Sequence, residues 1–234
     1  MNILAVDVGG THVKILLSGQ TEPRKMVSGP ALTAAEMVQG VHHLAGDWEF
    51  DAVSIGVPTP VVRDKPIEEP IHLGQGWVDF DYAAAFGCPV KIVNDAAMQA
   101  MGSYVGDKML FLGLGTGLGS ALVIDGALVP LELGHLPYRK RTYEDYVGVA
   151  GLERMGRKKW ERRVHHVVDL LCSAFEPDYV LLGGGNAKLL NQLPPRCRLG
   201  NNANAFVGGF RLWQDRSAGA SDGNRAGAAR AASI

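Results

Sequence analysis

Two glycine-rich turns, each next to a short apolar segment, constrain the fold of this chain most strongly. The first turn is DVGGT at residues 7–11, which follows the apolar run 3–6. The second is LGLGTGLG at residues 112–119, within the apolar stretch 109–124. Glycines let main-chain N–H groups approach an anion closely, and the threonine hydroxyls add further donors. The sequence therefore predicts two β-hairpins whose turns are suited to hold one phosphate chain from two sides.

A carboxylate lies between the two turns in the sequence. Asp95, in VNDA at residues 93–96, follows a predicted strand and precedes a predicted helix. A hydroxyl that attacks phosphorus must lose its proton, and a nearby carboxylate can accept it. The alternative role for an aspartate here is that of a helix N-cap. Beside two phosphate-binding turns, Asp95 is better interpreted as the general base of a small-molecule kinase.

The two halves of the sequence show a weak internal duplication. Each half begins with a strand, a glycine turn and a second strand, and continues with helices and another strand. This order predicts two α/β lobes with a cleft between them. We expect residues 1–104 to form the first lobe and residues 105–203 the second. The last helix, at residues 204–213, is expected to pack back on the first lobe.

Two helices and a tail can be delimited from local patterns. Thr33 followed three residues later by Glu36 has the spacing of a capping box, which predicts a helix over residues 34–48. A second helix is predicted over residues 144–155. The Ala/Gly/Ser/Arg-rich residues 214–234 lack apolar periodicity, which predicts a disordered tail.

Composition excludes several classes of protein. The net charge of −1 gives no reason to expect binding to nucleic acid or to a membrane surface. The three cysteines, Cys88, Cys172 and Cys197, form no CxxC pair and indicate neither a zinc knuckle nor a disulfide framework. Unpaired thiols are typical of the reducing cytosol. The start shows no signal-peptide pattern, and no apolar run approaches the ~18 residues of a membrane span. We therefore expect a cytoplasmic protein.

Four motifs in this order resemble the ROK (repressor, open reading frame, kinase) family of sugar kinases. They are DVGGT at 7–11, VNDA at 93–96, LGTGLG at 114–119 and ELGH at 132–135. The resemblance extends from about residue 2 to residue 213 and is greatest with the compact branch that includes polyphosphate/ATP glucokinases. It implies the two-lobed actin/hexokinase-like fold, a ribonuclease-H-like duplication with a central cleft. It also implies phosphoryl transfer to a hexose, with glucose as the first choice. We further expect a homodimer.

The resemblance assigns roles to individual residues. Asp95 matches the catalytic base, and Asn94 would hold a neighbouring sugar hydroxyl. Glu132 and His135 would face the sugar, with Glu144 as a further hydroxyl ligand on a looser match. Asp7 would hold Mg²⁺ through water, because that ion keeps much of its hydration shell. The donor phosphates or nucleotide would be bound by Gly9, Gly10, Thr11, Lys14, Gly115, Thr116, Gly117, Gly119, Gly183, Gly184 and Gly185.

Each of these residues also has a purely structural interpretation. The glycines could form ordinary hairpin turns or allow close packing, above all in the run 183–185. A lone histidine such as His135 is often only a structural hydrogen-bonding residue. Trp77, in a loop that faces the sugar in relatives, has core packing as an equal alternative.

Two departures from the wider family bear on cofactor and function. Many members carry a cysteine-rich zinc motif after ELGH, whereas residues 137–145 contain no cysteine, so we expect no zinc. No helix-turn-helix precedes Ile3, which argues against a repressor. A non-catalytic sugar or nucleotide sensor stays an alternative, as does an ATPase without a sugar substrate. The donor stays open between ATP and polyphosphate. The basic clusters 139–141 and 157–159 would be either a polyphosphate track or solvated surface.

Overall fold

The computed structural model describes residues 1–201 and 203–214 and contains two five-stranded sheets of identical design. The first has the strand order β3 (Arg24–Val27), β2 (His12–Leu17), β1 (Ile3–Val8), β4 (Ala52–Val57) and β7 (Val90–Asn94). The second has the order β10 (Ala127–Leu131), β9 (Leu118–Ile124), β8 (Lys108–Leu114), β13 (Tyr179–Gly183) and β14 (Cys197–Leu199). In each sheet three antiparallel strands are followed by two parallel strands. The expected duplication is therefore present, and the fold is the two-lobed actin/hexokinase-like fold. Most of the predicted tail, residues 215–234, lies outside the described residues.

The first half contains the first glycine turn, between its first two strands, and the predicted base, Asp95, at the start of its last helix. In chain order its elements are β1 (Ile3–Val8), β2 (His12–Leu17), β3 (Arg24–Val27), α1 (Ala34–Ala45), β4 (Ala52–Val57), β5 (Val61–Val62), β6 (Lys65–Pro66), α2 (Tyr82–Phe86), β7 (Val90–Asn94) and α3 (Asp95–Ser103).

The second half repeats this plan and adds a longer helical segment. Its elements are β8 (Lys108–Leu114), β9 (Leu118–Ile124), β10 (Ala127–Leu131), β11 (Pro137–Tyr138), β12 (Arg141–Thr142), α4 (Tyr143–Val147), α5 (Val149–Met155), α6 (Arg157–Phe175), β13 (Tyr179–Gly183), β14 (Cys197–Leu199) and α7 (Asn204–Arg211). Short 3₁₀ turns lie at Leu133–His135 and Gly185–Leu189. None of the helices in the described part of the chain has the length and apolarity needed to cross a bilayer.

Each sheet packs an outer helix on its apolar face. The capping box of Thr33 and Glu36 is present at the start of α1, which covers the first sheet with Met37, Val38 and Val41. Helix α6 covers the second sheet with residues spaced three or four apart, as expected for one buried helical face. These residues are Trp160, Val164, Val167, Val168 and Leu171.

Helices α3 and α7 pack together between the two sheets. The alanines of α3 contact the second sheet at Met109 and Phe111. At the crossing with α7, a Cβ on Gly102 would lie 2.5 Å from the Gly208 nitrogen, so only glycine permits this approach. Helix α7 also reaches the first sheet, because the hydroxyl of the buried Ser54 donates to the Gly209 carbonyl at 2.6 Å. The division of the chain at residues 104 and 105 stays a prediction.

Several predicted boundaries are wrong. The helix predicted over 144–155 is two helices, α4 and α5, separated at Gly148, whose backbone is extended there. A Cβ on Gly148 would lie 2.5 Å from the Thr116 carbonyl oxygen, so the break lets the second glycine turn pack against this segment. Helix α1 ends at Ala45 rather than at residue 48. The edge strands β3 and β14 have no clear pattern in the sequence and were not predicted.

Candidate functional site

The register of the first sheet brings Asp7 and Asp95 to the same region. Asp7 is paired with Gly56 on β4, and Gly56 with Val93 on β7, two residues before Asp95. Because β1, β4 and β7 run parallel, their carboxyl ends meet at one edge of the sheet. A Cβ on Gly56 would lie 3.3 Å from the Asp95 Cα, so glycine there lets the start of α3 lie against the sheet.

Asn94, rather than Asp95, caps helix α3. Its Oδ1 accepts hydrogen bonds from the Ala96 and Ala97 N–H groups at 2.9 and 3.4 Å. Its Nδ2 donates to the Thr59 carbonyl at 3.3 Å. These bonds leave one Asn94 amide hydrogen to bind a ligand, which is enough for the single sugar hydroxyl that Asn94 is predicted to hold. The N-cap interpretation of Asp95 is therefore wrong.

The environment of Asp95 raises the pKa of its carboxyl group. Its side chain keeps some solvent contact but is closely surrounded by protein. Burial raises the pKa of Asp95 to about 7, and the nearby negative charges of Asp7 and Glu132 add to this rise. A hydrogen bond of 2.7 Å from the Ala96 N–H partly opposes it. A base is most effective when its pKa lies near the working pH.

The first glycine turn is closed by its neighbours and open on its outer side. The Gly9 N–H donates to the His12 carbonyl at 3.0 Å, and the Ser28 hydroxyl donates to the Gly9 carbonyl at 2.6 Å. Gly10 and Thr11 are exposed, as a phosphate-binding turn requires.

Asp7 and Lys14 form an ion pair below this turn. They are cross-strand neighbours, with Lys14 Nζ 3.5 Å from Asp7 Oδ2. Burial raises the pKa of Asp7, and the charge and hydrogen bond of Lys14 lower it again in part. The Asp7 oxygens are of the type that a hydrated divalent ion prefers, whereas the charge of Lys14 beside them opposes the binding of a second cation.

The second glycine turn lies against α5 and the run 183–185. The Val149 N–H donates to the Gly115 and Thr116 carbonyls at 3.0 and 3.1 Å, and Asn186 Nδ2 donates to the Gly115 carbonyl at 3.0 Å. Thr116 is exposed. A Cβ on Gly115 or on Gly185 would have no protein atom within 4 Å, so open space adjoins both residues.

Two of the three consecutive glycines have a structural explanation. A Cβ on Gly183 would lie 2.6 Å from the Phe111 ring, and one on Gly184 would collide with the Leu114 carbonyl. Gly184 also has a φ of 79°, which favours glycine. Close packing therefore accounts for these two residues, and only Gly185 faces open space.

Three residues predicted to bind sugar lie beside the second turn. His135 Nε2 is 3.9 Å from Glu144 Oε1. The Glu144 carboxylate lies over Gly117 and Gly134, and a Cβ on Gly134 would be 3.2 Å from Glu144 Oε2. Burial raises the pKa of Glu132, the charge of His135 opposes this, and Glu144 and Glu68 reinforce it. Acidic groups from both halves of the chain therefore act on one another here.

The second turn and helix α3 also meet directly. A Cβ on Gly119 would lie 2.6 Å from the Ala96 Cβ, next to Asp95. The predicted base, the second turn and the carboxylates predicted to bind sugar are thus parts of one region.

Sequence reasoning missed two residues, Thr59 and Tyr138, that support the residues predicted to bind sugar. The buried Thr59 hydroxyl donates to the Glu68 carbonyl at 2.9 Å, while the Thr59 carbonyl accepts from Asn94. Tyr138 stacks on Tyr143 with ring centroids 5.1 Å apart, and so packs the β11–β12 hairpin against α4, just before Glu144. A polar residue between Pro58 and Pro60, after a buried strand, was the one available signal for Thr59.

Other highlighted residues lie apart from this region. Trp77 is fully buried in the core of the first lobe, so the core interpretation is correct. The Arg157 side chain donates to the Leu189 carbonyl and, at 2.8 Å, to Asn191 Oδ1. Within residues 1–201 and 203–214, no three His, Cys, Asp or Glu side chains are placed to hold a metal by themselves.

Comparison with known proteins gives the same family as the sequence motifs. The ROK family profile matches residues 3–144, so this chain belongs to the ROK family. It is 27% identical over 212 residues to the polyphosphate glucokinase of Mycobacterium tuberculosis (strain CDC 1551 / Oshkosh), covering 82% of this chain and 76% of that protein.

Two further relatives show how the chain is related to longer and to structurally known proteins. It is 29% identical over 143 residues to the bifunctional enzyme NanE/NanK of Brucella melitensis, spanning 54% of this chain but only 27% of that enzyme. The inorganic polyphosphate/ATP-glucomannokinase of Arthrobacter sp. strain KM superposes with a TM-score of 0.75 at 23% identity, covering 88% of this chain and 96% of that one. This superposition shows the shared fold.

Proposed function

We propose that this chain is a sugar kinase that transfers a phosphoryl group from ATP or inorganic polyphosphate to a hexose hydroxyl, with glucose to glucose 6-phosphate as the first choice. The observation that carries the proposal is the position of Asp95. Its carboxylate, with a pKa raised to about 7, lies among Asp7, Glu132 and the second glycine turn. A purely structural aspartate gains nothing from such an environment, whereas a base does.

The chemistry follows from these positions. Asp95 accepts the proton of the attacking hydroxyl as its oxygen forms a bond to the terminal phosphorus of the donor. The bond from that phosphorus to the bridging oxygen breaks, and the shortened donor leaves. Glu132, His135 and Glu144 orient the sugar, because a carboxylate can accept hydrogen bonds from two neighbouring hydroxyls. Phosphoryl transfer depends mainly on such positioning and on charge stabilisation.

The donor side of the site supplies that stabilisation. The exposed residues Gly10, Thr11 and Thr116 of the two glycine turns, with Lys14, face the negative oxygens of the donor. Asp7 is the residue that fits Mg²⁺, which is commonly held by one or two carboxylates together with water and substrate phosphates. The ion, when bound, neutralises charge on the donor. Gly185, with open space beside it, is suited to the adenosine side of ATP.

A coupled assay of several hexoses with both donors tests the proposal. We expect turnover with glucose and Mg²⁺ and at least one of the two donors. Glucose binding without turnover with either donor would contradict the kinase and favour a sensor of the same fold. Light scattering after gel filtration tests the homodimer, and metal analysis of the purified protein tests the expected absence of zinc.

A further inference from the structure

A row of side chains crosses the first sheet from Asp7 on β1 to the edge strand β3. The register pairs Asp7 with Lys14 and Lys14 with Lys25. Residues directly opposite each other on neighbouring strands project from the same face of a sheet. Neighbouring strands lie about 4.8 Å apart, so the row extends about 10 Å beyond Asp7.

The same row continues in the other direction toward the base. Asp7 is paired with Gly56, and Gly56 with Val93, two residues before Asp95. Across the sheet the row therefore runs from Val93, two residues before the predicted base, through Gly56 and Asp7 to Lys14 and Lys25. A linear anion whose end lies between Asp95 and Asp7 would continue over Lys14 and Lys25.

Of the two lysines, only Lys14 has a carboxylate partner among the described residues. Asp7 neutralises Lys14, but Lys25 is exposed and no described carboxylate lies within 4.0 Å of its ammonium group. Val27, two residues after Lys25 on the same strand, is 75% exposed, so the described part of the protein does not cover this end of the sheet.

Strand β3 is joined firmly to the phosphate-binding turn. Directly after the strand, the Ser28 N–H donates to the Thr11 carbonyl at 3.0 Å and the Ser28 hydroxyl donates to the Gly9 carbonyl at 2.6 Å. These bonds fix the position of Lys25 relative to the turn. Lys25 therefore differs from a lysine on an independent surface loop.

We propose that Lys25, together with Lys14, binds the phosphates of a linear inorganic polyphosphate that lie behind the one being transferred. This inference rests on the proposed function and specifies its donor. ATP has only three phosphates, and its nucleoside would turn toward Gly185 in the second lobe. A polyphosphate has no nucleoside and continues as a charged chain, so Lys25 distinguishes the two donors.

Helix α6 offers a competing basic surface. A cavity of about 390 Å³ there is lined by Lys158, Arg162 and His165, by the acidic Glu161, and by Asn191 and Gln192. No residue in this cavity lining is a residue of either glycine turn, and the register of the first sheet does not extend to it. Lys158 is therefore a matched control for Lys25, since both are exposed lysines.

The test compares Lys25→Gln and Lys158→Gln with ATP, tripolyphosphate and a long-chain polyphosphate as donors to glucose. An exposed charge contact is worth up to about 1 kcal/mol, or about fivefold in affinity. We expect Lys25→Gln to raise the KM for long-chain polyphosphate about fivefold and to leave the KM for ATP and the kcat with ATP unchanged. Lys158→Gln should leave the KM for all three donors unchanged. Lys25→Glu should raise the KM for long-chain polyphosphate more than Lys25→Gln does.

Several results would overturn the inference without touching the kinase. In the first, Lys25→Gln raises the KM for ATP as much as the KM for polyphosphate. In the second, Lys158→Gln rather than Lys25→Gln selectively raises the KM for polyphosphate. In the third, the protein is active with ATP but does not use polyphosphate. The salt dependence of polyphosphate binding provides a readout other than activity. Binding of long-chain polyphosphate, measured by calorimetry without sugar, should depend less on salt in Lys25→Gln than in the unmodified protein. Absence of phosphoryl transfer from every donor to every hexose would instead contradict the proposed function itself.

Discussion

Replacing Asp95 by asparagine is expected to stabilise the folded protein while removing the proposed base. Burial, reinforced by the charges of Asp7 and Glu132 and opposed by the Ala96 N–H, raises the pKa of Asp95 from 3.8 to about 7. The ionised carboxylate is therefore unfavourable in the folded state. Asparagine has nearly the same shape and carries no charge.

The size of the effect follows from the pKa shift. One pKa unit corresponds to about 1.4 kcal/mol, so the shift of Asp95 sets an upper limit of about 4 kcal/mol. Because Asp95 keeps some solvent contact, we expect Asp95→Asn to increase the free energy of unfolding by about 1–3 kcal/mol at pH 8. For a chain of this size each kcal/mol corresponds to about 2–4 °C in Tm.

The sign of the pH dependence is fixed by the same shift. Well below pH 3.8 the carboxyl is protonated in both the folded and the unfolded chain, so the two proteins should approach equal stability as the pH falls to 4 and below. As the pH rises from about 4 to about 7, the unfolded chain ionises first, and the unmodified protein loses stability relative to the variant. The difference in the free energy of unfolding between Asp95→Asn and the unmodified protein reaches its full size above about pH 7.

Thermal unfolding at pH 4 and pH 8 measures this difference. Asp125→Asn is the matched control, because Asp125 is exposed in a turn with a φ of 50°, a conformation that asparagine also tolerates. The control should change little at either pH. An Asp95→Asn variant no more stable than the unmodified protein at pH 8, or equally stabilised at both pH values, would refute the reasoning.

Three further predictions concern activity and packing. The kcat/KM for glucose should rise with pH through about 7, because Asp95 must be ionised to accept a proton; a flat profile from pH 5.5 to 8.5 would contradict this. Gly117→Ala places a methyl group against the Glu144 carboxylate, so the KM for glucose should rise by about tenfold or more, and an unchanged KM would place the sugar elsewhere. Gly102→Ala forces α3 away from Gly208 and should lower the free energy of unfolding by about 2 kcal/mol or more, measured by urea denaturation; full stability would show that the helices can separate at no cost.

Much of the fold could be predicted because its signals are local. The capping box at Thr33 and the apolar strands beside each glycine turn define their elements without tertiary information. The break at Gly148 could not be predicted, since it depends on the close approach of Thr116 from a distant hairpin. Strand β3 was missed for the same reason: its alternating Arg24 to Val27 is too short to stand out until it pairs with β2.

The candidate site divides in a similar way. Motif spacing singled out Asp95 and the glycine turns, but it could not show that Asn94 takes over the helix cap. It also could not separate Gly185, which adjoins open space, from Gly183 and Gly184, which packing requires. Thr59 acts through two main-chain carbonyl contacts, which leave no motif in the sequence.

Steady-state kinetics of Asp95→Asn tests the central claim most directly. The assay uses glucose, Mg²⁺ and the better of the two donors, with glucose affinity measured separately by calorimetry. If Asp95 is the general base, kcat should fall by about 100-fold or more, while glucose binding stays within a few-fold of that of the unmodified protein. A variant that keeps near-normal turnover would contradict the assignment of Asp95 as the base for phosphoryl transfer.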